Sequence, residues 1–206
     1  MLARYIARTL FLVLLLISLF VKHFFGFMTL NLILAYIPYE LSLLLRVFKP
    51  HKKYEWPLFV IYSIVFFLLV PNTFYMVTDL IHLNQFAFNF LGGVNLMEWA
   101  HFSYLFAAIM LALYCYILIF MELRRFTSSK AMNRIFFILL VVLNALGIYV
   151  GRFLRFHTVY LIEQPLYIPI KVFKSLDLES VLFILLLIGL QSLLILMVKG
   201  VREIRC

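Results

Sequence analysis

The chain has 206 residues, 66% of them hydrophobic and 13% charged, with a formal net charge of +9. A soluble domain runs about 45–50% apolar, and the mean hydropathy here is +1.08, so this composition excludes a water-formed globule and points to a polytopic membrane protein. The positive balance implies orientation in the bilayer and contact with anionic lipid rather than nucleic acid, since no basic-aromatic RNA motif or soluble basic domain occurs.

In chain order, hydropathy predicts an all-α, polytopic transmembrane helix bundle of six spans. They cover about 2–21, 24–45, 57–80, 95–121, 133–150 and 178–198, in one integral membrane domain, 1–206. The start, with Arg4 and Arg8 before Thr9–Val21, imitates a signal peptide. Lys22-His23-Phe24-Phe25 follows instead of a small-residue cleavage site, so it reads as a retained first helix. Asn31, Glu40, Asn144 and Gln191 fall inside spans and are expected to bond across helices. Glu40 is expected toward the inner end near Arg46, and Pro38 is a potential kink. Cys115 and Tyr116 read as bundle filler, and no disulfide is expected with Cys206.

The third span is the organising element. The apolar run Pro57–Val70 is too short to cross alone, because a span needs about 20 residues. The helix must therefore pass through Pro71 into Asn72-Thr73-Phe74-Tyr75-Met76-Val77-Thr78-Asp79-Leu80-Ile81-His82. Proline removes an N–H and crowds the carbonyl four residues back, so the third span is expected to break at Pro71. Asn72 is a candidate cap for a second half-helix. Ionisable groups at membrane depth are costly and read as functional by default.

Counting Lys and Arg orients the bundle. With the N-terminus inside, 13 of the 18 lie on inner segments, so both termini are expected in the cytoplasm. Asp79, His82, Glu98, His101, Arg152, Arg155, His157 and Glu163 then fall at or near the outer face. In Gly151-Arg152-Phe153-Leu154-Arg155 two arginines end the fifth span against the positive-inside trend. Carboxylates such as Asp79 and Glu98, or a phosphate, are natural partners for such forks. An outward-facing intramembrane polar pocket for an anionic group is the first reading. Its ligand-binding residues are Asn72, Tyr75, Asp79, His82, Arg152 and Arg155, and its ligand is a lipid headgroup, envelope precursor or solute.

Two alternatives stand beside it. Asp79-x-x-His82 and Glu98-x-x-His101 repeat a carboxylate–histidine spacing that places both groups on one helix face. With His157 they make a candidate divalent-metal set for a membrane enzyme that activates water. The set is short of carboxylates for a di-metal site, and Asn95-x-x-Glu98 also reads as a capping box. No cofactor is otherwise expected. The other alternative is a non-catalytic accessory subunit whose polar network is structural. No Gly-x-Ser-x-Gly, phosphate loop or His-Glu-x-x-His occurs, so the balance of the sequence leans away from an enzyme.

Asn31-Leu-Ile-Leu-Ala-Tyr-Ile-Pro38, Val70-Pro71-Asn72-Thr-Phe-Tyr75 with Thr78-Asp79-Leu80 and His82-Leu83, and Gly151-Arg152-Phe-Leu-Arg155 together resemble the Domain of Unknown Function 1361 family. Its members are bacterial polytopic membrane proteins. The resemblance covers most of the chain and implies a bacterial cytoplasmic-membrane location; it carries no activity. After Arg155 the chain departs: where the family tends toward Asn-Ser-Trp-Asp it reads His157-Thr158-Val159-Tyr160, which loses an acid.

Overall fold

The structure is a computed structural model and describes residues 2–20, 26–86, 88, 93–127, 129–154 and 167–203. Arg155, His157 and Glu163 of the sequence reading lie outside the described residues. The helices are α1 (Leu2–Phe20), α2 (Gly26–Leu44), α3 (Trp56–Leu69), α4 (Pro71–Tyr75), α5 (Leu96–Phe126), α6 (Lys130–Arg152), α7 (Tyr167–Ser175) and α8 (Leu178–Glu203). 3-10 segments cover Lys53–Glu55 and Met76–Gln85. Six stretches are long and apolar enough to cross a membrane: Leu2–Phe20, Gly26–Leu44, Lys53–Gln85, Leu96–Phe126, Lys130–Arg152 and Leu178–Val201. These are the six expected spans, and α2 is continuous through the buried Pro38.

Burial divides the helices by role. α5 is central: Tyr104, Leu105, Ala108, Ile109, Ala112, Cys115, Tyr116 and Ile119 are all buried along it. α1 buries only Ala7 and Leu14, while Leu10, Val13, Leu16 and Ile17 are exposed. α8 likewise exposes Leu182, Leu185, Leu186, Leu190 and Leu193. In lipid such faces need no cover, because acyl chains are as apolar as leucine. What holds the helices together must then be close packing and interhelical hydrogen bonds.

The bonds are specific. Gln191 of α8 is fully buried, accepts from Tyr116 OH (2.7 Å) and Asn144 Nδ2 (2.9 Å), and donates to the Leu187 carbonyl (3.1 Å). That knot ties α8 to α5 and α6, so Tyr116 is more than filler. Near the other end of α8, Tyr149 OH donates to the Ser175 carbonyl and receives Ser180 Oγ, each at 2.9 Å. At the end of the bundle where the described chain begins and finishes, Arg8 grips Glu40 with two bonds, Nε to Oε1 at 2.9 Å and Nη2 to Oε2 at 2.8 Å. Tyr36 also donates to Glu40 and stacks on Phe11, centroids 4.0 Å apart. Arg46, expected at the same end, pairs with Glu122 at 3.4 Å. Arg46 lies beyond the end of α2, where the chain has already turned toward α5.

Helix starts follow the local chemistry. Asn95 caps α5 through Met97 N–H (3.2 Å), and Ser129 caps α6 through Met132 N–H (3.4 Å). Asp177 caps α8, its Oδ1 accepting from Ser180 N–H at 2.8 Å. Hydrogen bonds from Ser180, side chain and backbone, hold the Asp177 carboxyl below the usual aspartate range. A lowered folded pKa means the cap's stabilisation is present above the ordinary aspartate value and is lost as pH falls through the lowered one. Hydrogen exchange at the first turn of α8, corrected for intrinsic rates, is expected to show weaker protection at about pH 2.5 than at about pH 7. Equal protection at both would remove the cap from the account.

Candidate functional site

The polar site forms at the end of the bundle opposite the Arg8–Glu40 pair, where the third span loses regular helix. Val70 N–H still reaches the Phe66 carbonyl (3.0 Å), and Thr73 N–H turns back to Val70 (3.0 Å). Asn72 does not cap α4, whose N-cap Val70 has helical dihedrals and no side-chain bond. Its amide instead donates to the Leu69 carbonyl at 2.9 Å, in the last turn of α3. The cap expectation fails because the chain passes from α3 to α4 through Val70 without leaving the helical region.

From Met76 to Gln85 the chain winds as a 3-10 helix of 10 residues. Such runs seldom exceed about 3–4 residues and often mark a functional segment. Thr78 Oγ1 bonds back to the Tyr75 carbonyl at 2.7 Å, a habit that bends helices. Winding at about 3 residues per turn eclipses side chains at i and i+3. Met76, Asp79 and His82 therefore share a row, and Met76 and Asp79 are the two that are buried.

Asp79 is the centre. Its side chain is 0% exposed. Asn31 Nδ2 of α2 donates to Oδ2 at 2.8 Å, and Arg152 Nη1 of α6 donates to Oδ1 at 3.2 Å. His82 Nε2 lies 3.8 Å from the same Oδ1, with its ring against Phe27 at 4.4 Å between centroids. Both carboxylate oxygens are thus met by donors, which a buried charge requires. Arg152 also donates through Nη1 to Tyr75 OH (3.1 Å) and through Nη2 to the Thr78 carbonyl (3.0 Å). Its guanidinium stands 5.4 Å from the Tyr75 ring centroid, a cation–π approach.

The reach of Arg152 depends on how closely α6 approaches the Pro71 bend. The buried stripe of α6 (Leu140, Val141, Asn144, Ala145, Ile148, Tyr149) runs at helical spacing and leads to Arg152 at its last turn. Beside it, Gly147-x-x-x-Gly151 faces α4. A Cβ on Gly147 would fall 2.5 Å from Pro71 Cγ, and one on Gly151 would meet Tyr75 Cε2 at 3.6 Å. The first approach is available to glycine alone, and it brings the two backbones together one turn before Arg152. Gly147 is absent from the residues singled out above. Its signal was present as a small-x-x-x-small pair in an apolar segment.

Of the sequence-predicted residues, the fold brings Tyr75, Asp79, His82 and Arg152 into one cluster and adds Asn31. Asn72 sits a turn away with its amide committed to the backbone. Glu98 is in the first turn of α5. His101, buried on α5, engages the Met97 carbonyl through Nδ1 at 2.7 Å and lies against Phe86, centroids 5.0 Å apart. Among the described residues no three of His, Cys, Asp and Glu group closely enough to hold a metal ion, so Asp79, His82, Glu98 and His101 do not form one set; His157 lies outside them.

These features define a polytopic helical membrane protein with a buried carboxylate–guanidinium pair at one end of its bundle. The chain belongs to the family described as Protein of unknown function (DUF1361), whose sequence profile matches residues 30–194. That range takes in Asn31, the Pro71 bend, Asp79, Gly147 and Arg152. No curated protein and no solved structure matches the chain.

Proposed function

We propose that this is a bacterial cytoplasmic-membrane protein, both termini inside, whose Asp79–Arg152 cluster is an outward-facing polar pocket for an anionic group. The orientation rests on the excess of Lys and Arg in the opposite connections. One observation carries the ligand reading. The Arg152 side chain is 19% exposed, and its bonds to Tyr75, Asp79 and Thr78 engage three N–H groups. Among the described residues, the remaining donors, on Nε and Nη2, meet no acceptor. A guanidinium held rigidly by one carboxylate, with donors to spare, is suited to a phosphate or carboxylate arriving from the aqueous side. Asp79 and Asn31 would position Arg152, and Tyr75 and His82 would line the approach. Arg155, three residues further on in sequence and outside the described residues, is proposed as a second cation.

The test is native mass spectrometry of protein extracted in mild detergent, wild type against Arg152→Gln and Arg152→Lys. The expected result is an anionic adduct, lipid or smaller phosphorylated compound, that falls by about tenfold or more in Arg152→Gln, which corresponds to about 1.4 kcal/mol. Arg152→Lys, which keeps the charge and loses the fork, should retain part of it. Adducts indifferent to both substitutions would overturn the reading.

A second reading is favoured by a different observation. Asp79 is fully buried and bonded at both oxygens, which is also what a purely structural lock between α2, the bent third span and α6 requires. On that reading Arg152→Gln unfolds the protein and no adduct depends on it.

A further inference from the structure

We infer that the opposite end of the bundle carries a second, independent site: a surface that gathers anionic phospholipid headgroups. Segments 46–56 and 122–134 contain Arg46, Lys49, Lys52, Lys53, Arg124, Arg125, Lys130 and Arg134 against two acids, Glu55 and Glu122. Both acids are committed. Glu55 Oε2 accepts the backbone N–H of His51 (2.7 Å) and Lys52 (3.2 Å). Glu122 bridges Arg46 at 3.4 Å and Arg125 at 3.1 Å.

The two segments are far apart in sequence and meet in the fold. The shared carboxylate joins them on one side. On the other, Lys49 Nζ lies 5.3 Å from the Phe126 ring centroid, and Phe126 stacks on Phe59 at 5.7 Å. Orientation by loop charge requires only that each connection be basic; it does not require the connections to be fastened to each other. Fastening them concentrates the cations, and the two that share Glu122 keep side chains 52% and 57% exposed. Exposed beside them are Val47, Tyr54 and Trp56, with Lys52 Nζ 5.6 Å from the Tyr54 ring centroid. Aromatic and aliphatic groups beside cations, at the level where α2, α3, α5 and α6 all end, match the bilayer interface in both polarity and charge. A soluble polyanion would leave Trp56, Tyr54 and Val47 in water. The fitting occupant is therefore the anionic leaflet, its phosphodiesters against Arg46, Lys49 and Arg125.

The experiment uses the whole protein in mixed micelles with equimolar phosphatidylglycerol and phosphatidylcholine, adducts being counted by native mass spectrometry. Wild type is expected to enrich phosphatidylglycerol, and the enrichment should decline as ionic strength rises from about 0.05 M to about 0.5 M. Arg46→Gln/Lys49→Gln/Arg125→Gln should reduce it by about tenfold, while Arg46→Lys/Arg125→Lys, which keeps every charge, should preserve it. In the triple glutamine background Arg152→Gln should still remove the adduct that Arg152 holds, so failure here and failure of the Arg152 ligand are read separately. Absence of enrichment in wild type, or enrichment equal in wild type and the triple glutamine variant, overturns the proposal. The wild-type and lysine-variant measurements decide it even if the triple variant does not fold.

Discussion

Arg152→Gln is expected to destabilise the bundle by about 3 kcal/mol, and adding Asp79→Asn to that variant is expected to restore most of the loss. Removing one member of a buried ion pair typically costs about 3–5 kcal/mol, because the other charge is left uncompensated. The lower end applies here, since the Arg152 side chain is 19% exposed and part of its interaction is screened. Asp79 has no such relief: it is 0% exposed, and without Arg152 it keeps Asn31 and a histidine nitrogen at 3.8 Å. In the double variant two neutral amides replace two charges, and amide–amide bonding substitutes for the pair. The measurement is a double-mutant cycle in detergent unfolding, with the coupling energy as the readout. Single variants within about 0.5 kcal/mol of wild type, the range of ordinary surface substitutions, would show that the pair does not organise this end of the bundle.

Gly147→Ala is the second large effect. Alanine is favoured over glycine in a helix by about 1 kcal/mol, so propensity alone predicts stabilisation. Sterics decide the other way. The new methyl would lie 2.5 Å from Pro71 Cγ and 2.7 Å from Pro71 Cβ, and a proline ring has no rotamer by which to retreat. Overpacking of this kind costs about 1–3 kcal/mol, so α6 must slide or tilt away from the bend. Arg152, five residues on, then moves relative to Asp79. We expect Gly147→Ala to be destabilised and also to lose part of the coupling energy in the cycle above. Gly151→Ala, whose methyl meets Tyr75 Cε2 at an ordinary 3.6 Å, and Gly189→Ala, whose methyl meets nothing within 4 Å, are the graded controls. Both should be neutral or slightly stabilised. A Gly147→Ala protein as stable as these controls would mean that the close approach of α6 to Pro71 does not set the site.

Some of this arrangement was legible before any tertiary contact was known. The span positions were, because a membrane demands about 20 apolar residues in a row and that demand is written locally. The break at Pro71 was, because a missing N–H acts on the residues next to it. The pairing of Asp79 with Arg152 was legible for a different reason: charges at membrane depth are so costly that those present must find each other, and few were available. Asn31, Asn144 and Gln191 were recognised as cross-helix bonders on the same ground.

What escaped was everything that depends on rotation and translation of one helix against another. Glu40 takes Arg8 of α1 and not Arg46, since the turn after α2 carries Arg46 toward Glu122. Asn72, which looks like a cap, serves the Leu69 carbonyl because the chain stays helical through the bend. The Met76–Gln85 segment takes a 3-10 winding that no local propensity announces, although the shared face of Asp79 and His82 was already given by their spacing.

The amino-acid order by itself determined that this chain is a six-span helical membrane protein and which few ionisable groups had to be sheltered, because hydropathy and the cost of charge act residue by residue. Only the tertiary structure decided that Gly147 admits the Pro71 ring, that Asn31 completes the shell of Asp79, and that Arg46 and Arg125 share Glu122. Those outcomes rest on distances of a few ångströms between elements far apart in sequence, and such distances exist only once the helices are packed.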